Sequence, residues 1–262
     1  MRAYAVRWRS RTVLGLPAGL AVVLLVLPLI ALLLRADWGR VLTDLTSETA
    51  STALRLSLVT TTSTALLALV LGTPLAWLLA RSDGPATRWL RALLTVPLVL
   101  PPVVGGVALL MTWGRQGLLG SQLSAFGIQI PFTTVAVILA ETFVSMPYYV
   151  LAVEGSMRGL DQRLESVART LGASDLRYLR TVALPLVAPG IASGLALAWA
   201  RALGEFGGTI TFAGNFPGRT QTAPLAVYVA LEQDPQVAIS ISIALLAVSV
   251  LVLGLMRGRW LR

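Results

Sequence analysis

Few side chains in this 262-residue chain are able to do chemistry, and their types limit what that chemistry is. There is no His and no Cys, and all 21 basic residues are Arg, so Lys is absent as well. Imidazole and thiolate metal ligands, a cysteine nucleophile, a Schiff-base amine and the lysine of a phosphate-binding loop are all excluded. If ATP drives this protein, another subunit must bind it. What remains is carboxylate chemistry. Glu141 stands alone in an apolar run, and an ionisable residue at that depth is a functional candidate by default. No second acid or base in the spans is placed to help it, which favours a hydrogen-bonded or protonated structural role. Arg201 and Glu205 are four residues apart and can pair on a helix. They form either an interfacial ion pair of little worth or the charged rim of a translocation path, continued by Thr209, Thr211 and Asn215.

A denser set lies between residues 154 and 180. Leu164, Val167, Ala168 and Leu171 fall at i, i+3, i+4 and i+7, which puts them on one helix face. Glu165 and Arg169 lie off that face, with Arg163. Gly172 is a natural left-handed stop, Ala173 follows it, Ser174 caps a second helix, and Asp175 suits that helix's positive end. The spacing predicts two short helices joined at a glycine. A polar segment that presents an apolar stripe with no core to bury it is either a solvated connector or a docking surface.

The elements that hold these residues are set by composition. Hydrophobic residues make up 56% of the chain and charged residues 13%, well below the roughly 25% of a soluble domain. Six runs reach the ~20 apolar residues a membrane helix needs: 12–34, 56–80, 92–114, 133–153, 181–203 and 235–256. The first is too long for a signal-peptide core and reads as a retained helix. These runs are continuous rather than alternating, which excludes barrel strands. The fold class is therefore an all-α polytopic membrane protein, one transmembrane domain over 1–262, with six helices and the loop 154–180 at one end.

Arginine counting orients it. The termini and the second and fourth loops carry 15 Arg, against 6 on the other side, so both termini and the loop 154–180 are expected in the cytoplasm. The net charge of +9 is then the positive-inside rule, and no nucleic-acid partner is needed. Within 92–114, Pro97, Pro101 and Pro102 each remove a helix hydrogen bond. The outcome is either a kink backed by a Gly105-Gly106 packing face or a broken helix lining a pathway.

With these residues in view, Glu165 to Pro185 resembles the EAA loop of ABC importer permeases. That motif has a Gly six residues after its Glu and an aliphatic-x-Leu-Pro ten residues beyond the Gly. Here Gly172 is followed by Val182-Ala183-Leu184-Pro185 at that spacing. The Glu-Ala-Ala register falls on Ser166-Val167-Ala168, so Glu165 stands one position early. Pro97-Leu98-Val99-Leu100-Pro101-Pro102, Leu203-Gly204-Glu205-Phe206-Gly207 and Leu71-Gly72-Thr73-Pro74 resemble segments of the molybdate permeases of that group. The resemblance implies the permease of an ATP-driven type I oxyanion importer in a bacterial inner membrane, carrying molybdate or tungstate, with sulfate or thiosulfate as the alternative. It implies a homodimer with a second copy, two cytosolic ABC ATPase subunits that hold the ATP and Mg, and an external oxyanion-binding protein. It implies no cofactor and no catalytic residue in this chain. An intramembrane enzyme built on Glu141 and a passive channel are the readings from other classes.

Overall fold

The computed structural model describes residues 9–260, so Arg2, Arg7 and Arg262 of the orientation count lie outside the described residues. All regular elements among the described residues are helical. The first, α1 (Arg9–Leu34), is apolar all round, and its membrane-length segment buries nothing inside the protomer. Apart from a slight contact with the last helix of the chain, a helix of that kind is left to lipid or another chain.

After the short α2 (Val41–Thr46) comes α3 (Glu48–Ala80), 33 residues and about 50 Å long. It starts eight residues before the expected span at 56. Ser47 caps it by accepting the Ala50 N–H, and its first turns are polar enough to continue beyond the hydrocarbon. The buried positions on α3 include Ala53, Ser57, Thr60, Thr64, Ala68, Gly72 and Ala76, a stripe of small residues at helical spacing. Small residues let backbones approach closely, which is how helices associate in lipid.

The third expected span is not one helix. It is α4 (Pro85–Val99) and α5 (Pro102–Trp113), bent by 116° at Leu100-Pro101. The prolines stop the hydrogen-bond ladder there, and each half is shorter than the ~30 Å hydrocarbon core. Then follow α6 (Gly120–Ala125) and α7 (Thr134–Arg158). The loop helix α8 (Gln162–Thr170) leads to α9 (Asp175–Tyr178). One π turn, Leu179–Ala183, joins α9 to α10 (Leu184–Leu203). Last come α11 (Gly207–Phe212), α12 (Ala223–Gln233) and α13 (Pro235–Trp260).

Two expectations about the loop change. Residue 154 does not begin it, because α7 continues to Arg158 with Glu154 buried. The second loop helix is not separate either, because Asp175–Leu203 is a single 29-residue helical run that starts six residues before the expected span. Only α8 is a free-standing loop helix.

The centre of the bundle is α7, with 56% of its most apolar window buried. One face meets α3, where Gly72 lies so close to the Tyr149 ring that a Cβ there would stand 2.6 Å from Cδ1. The other face meets α10 through Gly190 against Ser156 and Gly194 against Ala152 and Tyr149. Among the described residues, five helices are long and apolar enough to cross a membrane, six when the bent pair is counted as one.

Candidate functional site

Two places hold most of the candidate residues. The first is where the broken helices meet at membrane depth. Position Gly207 at the start of α11 packs on Pro102 at the start of α5, where an added Cβ would lie 2.8 Å from the proline ring. A Cβ added at Gly106 would likewise lie 2.9 Å from the Gly208 carbonyl oxygen. Glu205 sits in the connection between α10 and α11, 2% exposed. Its Oε1 accepts the Gly208 N–H at 2.8 Å, and its Oε2 pairs with the Arg201 guanidinium at 2.8 Å. The carboxylate therefore caps α11 and neutralises the arginine together.

Glu141 is the neighbouring buried acid, also 2% exposed. It accepts hydroxyl hydrogen bonds from Thr60 at 2.8 Å and Thr64 at 3.0 Å, both from the small-residue face of α3. Position Gly208 lies against Ala140, which sets Glu205 level with Glu141. Glu205 is thus packed inside the protomer, with Arg201 half-buried beside it.

Thr209 is fully buried, and Thr211 donates to the Gly207 carbonyl at 2.8 Å. Asn215 lies in a turn bounded by Gly214 and Gly218, both at positive φ. Glu141, Glu205 and Thr209 are packed within the protomer and face no open wall. Pro101, Pro102, Val103 and Val104, at the bend, are exposed.

The second place is the arginine-rich end. Leu164, Val167 and Leu171 are exposed by 40%, 58% and 80%, with Ala168 half-buried between them. The stripe expected on α8 therefore has nothing covering it. Gly172 has φ +79°, its N–H donates to Arg169 O at 2.9 Å, and the Ala173 N–H donates to Ala168 O at 3.0 Å. That pair of bonds is a Schellman C-cap, which requires the left-handed glycine. Ser174 accepts the Arg177 N–H, and Asp175 takes Arg169 at 3.1 Å. Leu184 and Pro185 do not share this surface. They follow the π turn at the head of α10, where Leu184 packs on the core with Val187.

Glu165 pairs with Arg169 at 2.8 Å and with Arg81, at the end of α3. Beside it, Glu154 Oε1 accepts from Arg91 at 2.6 Å and from Arg158 at 3.0 Å. Both arginines also donate to the Leu79 carbonyl in the last turn of α3. Arg158 reaches Asp83 at 2.7 Å, and its hydrogen bond and charge hold the Asp83 carboxyl below its ordinary value. At the opposite end, the Arg40 hydrogen bond does the same to Asp234. A cavity of about 410 Å³ opens between the ends of α3 and α7 and α8, lined by Trp77, Arg81, Arg158, Asp161, Glu165 and Tyr178. The sequence marked Arg81, Arg91, Arg158 and Glu154 only as loop charges. Their partners are up to 84 residues away (Arg81 to Glu165), beyond any periodicity. Trp77, four residues before Arg81, was the only local signal.

Residues 72–258 match the family described as binding-protein-dependent transport system inner membrane component. The chain is 48% identical to the molybdenum transport system permease protein ModB of Mycobacterium tuberculosis, over 90% of each chain. It is 40% identical to the protein of the same name in Escherichia coli, over 80% of this chain and 92% of the relative. The protein named "Probable sulfate transport system permease protein cysT" of Chlorokybus atmophyticus is 36% identical over 80% of this chain and 74% of its own length. The fold resembles a chain in the crystal structure of a bacterial ABC transporter involved in the import of the acidic polysaccharide alginate, with TM-score 0.74, 15% identity and 96% of each chain covered. A bacterial alginate ABC transporter in complex with an alginate pentasaccharide-bound periplasmic protein gives TM-score 0.72 at 14% identity, over 94% of this chain and 93% of that one.

Proposed function

Since the chain belongs to the binding-protein-dependent transport system inner membrane components and, among them, to the molybdenum permeases, we propose that it forms the membrane pathway of an ATP-driven molybdate importer. Identity favours molybdate over sulfate, at 48% against 36%. The chain is a transporter subunit and not an enzyme. With no Lys for a phosphate loop, ATP and Mg belong to partner ATPases.

One observation carries the mechanism: the exposed apolar stripe of α8, ended by the Gly172 cap. Leu164, Val167 and Leu171 fit a groove on a cytosolic ATPase, and Arg163 flanks them for an acidic partner. Two copies of the chain place two such helices on one face, one for each of two ATPase subunits. The arginine count puts that face and both termini in the cytoplasm.

On this reading the path for the anion runs along the exposed bend at Pro101 and Pro102. A dianion must leave as easily as it enters, so a wall of Pro, Val and backbone N–H groups suits it better than fixed cations. Glu141 and Glu205 stabilise the junction behind that wall, with Arg201 spent on Glu205. An external binding protein supplies the anion, as a periplasmic protein accompanies the alginate transporter. Selectivity then rests mainly on that protein.

The test is the mass of the intact complex extracted with its ATPase. Two copies of this chain with two ATPase subunits are expected. A second, different permease chain overturns the homodimer, and no associated ATPase overturns the reading.

A further inference from the structure

We infer that Arg81 is the positioning residue that ties the docking helix α8 to the membrane bundle, so that ATPase movement reaches the pathway. The inference rests on the proposal that α8 docks an ATPase. That docking leaves a mechanical problem. The apolar side chains of α8 face outward, and none of its described residues is buried. Glycine or short loops bound it on both sides. Apolar packing therefore does not fix it to the bundle, and a helix loose on two hinges would dock without transmitting force.

Arg81 supplies the attachment. Its guanidinium carbon stands 4.0 Å above the Trp77 ring and 5.7 Å from the Tyr178 ring. The two rings are 6.2 Å apart, so the cation sits beside an aromatic pair drawn from α3 and α9. The same guanidinium pairs with Glu165 of α8, and Glu165 is held on its other side by Arg169, which also reaches Asp175. One side chain thus joins α3, α8 and the head of the Asp175–Leu203 helix. Arg suits this place because its planar group stacks and forks at once, which an ammonium does not.

Two further features fit a moving joint. Tyr178 is the last residue before the π turn, and such insertions in helices are frequent at functional sites. The cavity beside Arg81 gives α8 room to shift. Glu165, one position early in the docking motif, has its partners inside the chain, which assigns it to the attachment and not to the ATPase.

The experiment uses the full complex in liposomes with the binding protein. Arg81→Gln is expected to leave ATPase binding within about twofold of wild type. ATP hydrolysed per anion imported should rise at least fivefold. Arg81→Lys, which keeps the charge without the stack, should fall between the two. The chain has no native Cys, so spin labels at Leu78→Cys and Thr170→Cys report the distance between α3 and α8. That distribution should broaden in Arg81→Gln. Val167→Asp separates the two levels. If it leaves ATPase binding intact, the docking reading fails and the inference with it. If it abolishes binding while Arg81→Gln keeps the wild-type ratio and distance, the docking reading stands and the role of Arg81 is refuted.

Discussion

Replacing Gly172 should weaken ATPase docking without disturbing the bundle, and the size of the effect follows from the cap. An added Cβ at Gly172 would meet nothing within 4 Å, so no steric clash enters. The whole cost is conformational. At φ +79° an L-residue pays roughly 1–2 kcal/mol, more when β-branched, and Asn pays least. The alternative is to leave that region, which breaks the two cap bonds to Ala168 and Arg169 and frays the last turn of α8. That turn carries Arg169 and Thr170, with Leu171 just beyond. A penalty of 1–2 kcal/mol changes a population about 5–30-fold, and apparent affinity falls by the competent fraction. Gly172→Ala should therefore bind the ATPase several-fold more weakly, Gly172→Val more weakly still, and Gly172→Asn close to wild type. Titrating the ATPase onto permease in nanodiscs reads this order, while yield and melting temperature of the permease stay unchanged. Gly172→Val binding as tightly as wild type, or Asn and Val behaving alike, would refute the argument.

Reporter fusions at Gly39 and Asn215 should read as external and one at Asp161 as cytoplasmic; Gly39 reading as cytoplasmic reverses the orientation. Glu205 accepts both Arg201 and the Gly208 N–H, and an arginine at 205 could not accept the latter. Exchanging the charges (Arg201→Glu with Glu205→Arg) should therefore rescue no better than either single change, each losing about 3–5 kcal/mol of stability in detergent. Rescue by the exchange would show that the pair matters only to itself. For Asp83, Arg158 lowers the folded-state pKa, so its contribution is present above the unfolded value and is lost as pH falls through the folded one. The melting difference between wild type and Asp83→Asn should persist from pH 5 to 8 and vanish below the usual carboxylate range. A difference that grows on acidification would contradict that sign.

What could be read from the sequence was local. The Gly172 cap, the Ser174 cap and the α8 stripe each depend on residues within one or two turns, and the structure keeps them. The prolines foretold that 92–114 could not run straight, but not a bend of 116°, because the direction depends on what packs behind Gly105 and Gly106. The i, i+4 spacing of Arg201 and Glu205 announces their pairing, but hydropathy does not see that the helix has already begun at Asp175 or that Glu205 is buried. The Glu141 partners Thr60 and Thr64 were invisible for a different reason, since hydroxyls spaced along an apolar helix look like ordinary lipid-tolerant residues until a second helix is laid beside them. The Arg81 arrangement joins three stretches of chain, and only the bundle brings them together.

Uptake of radiolabelled molybdate into liposomes bearing this chain with its ATPase and binding protein tests the central claim most directly. Accumulation should require ATP inside and the loaded binding protein outside, cease when any one component is omitted, and persist in excess sulfate. Uptake that needs no ATP, or that sulfate suppresses at equal concentration, would contradict the account.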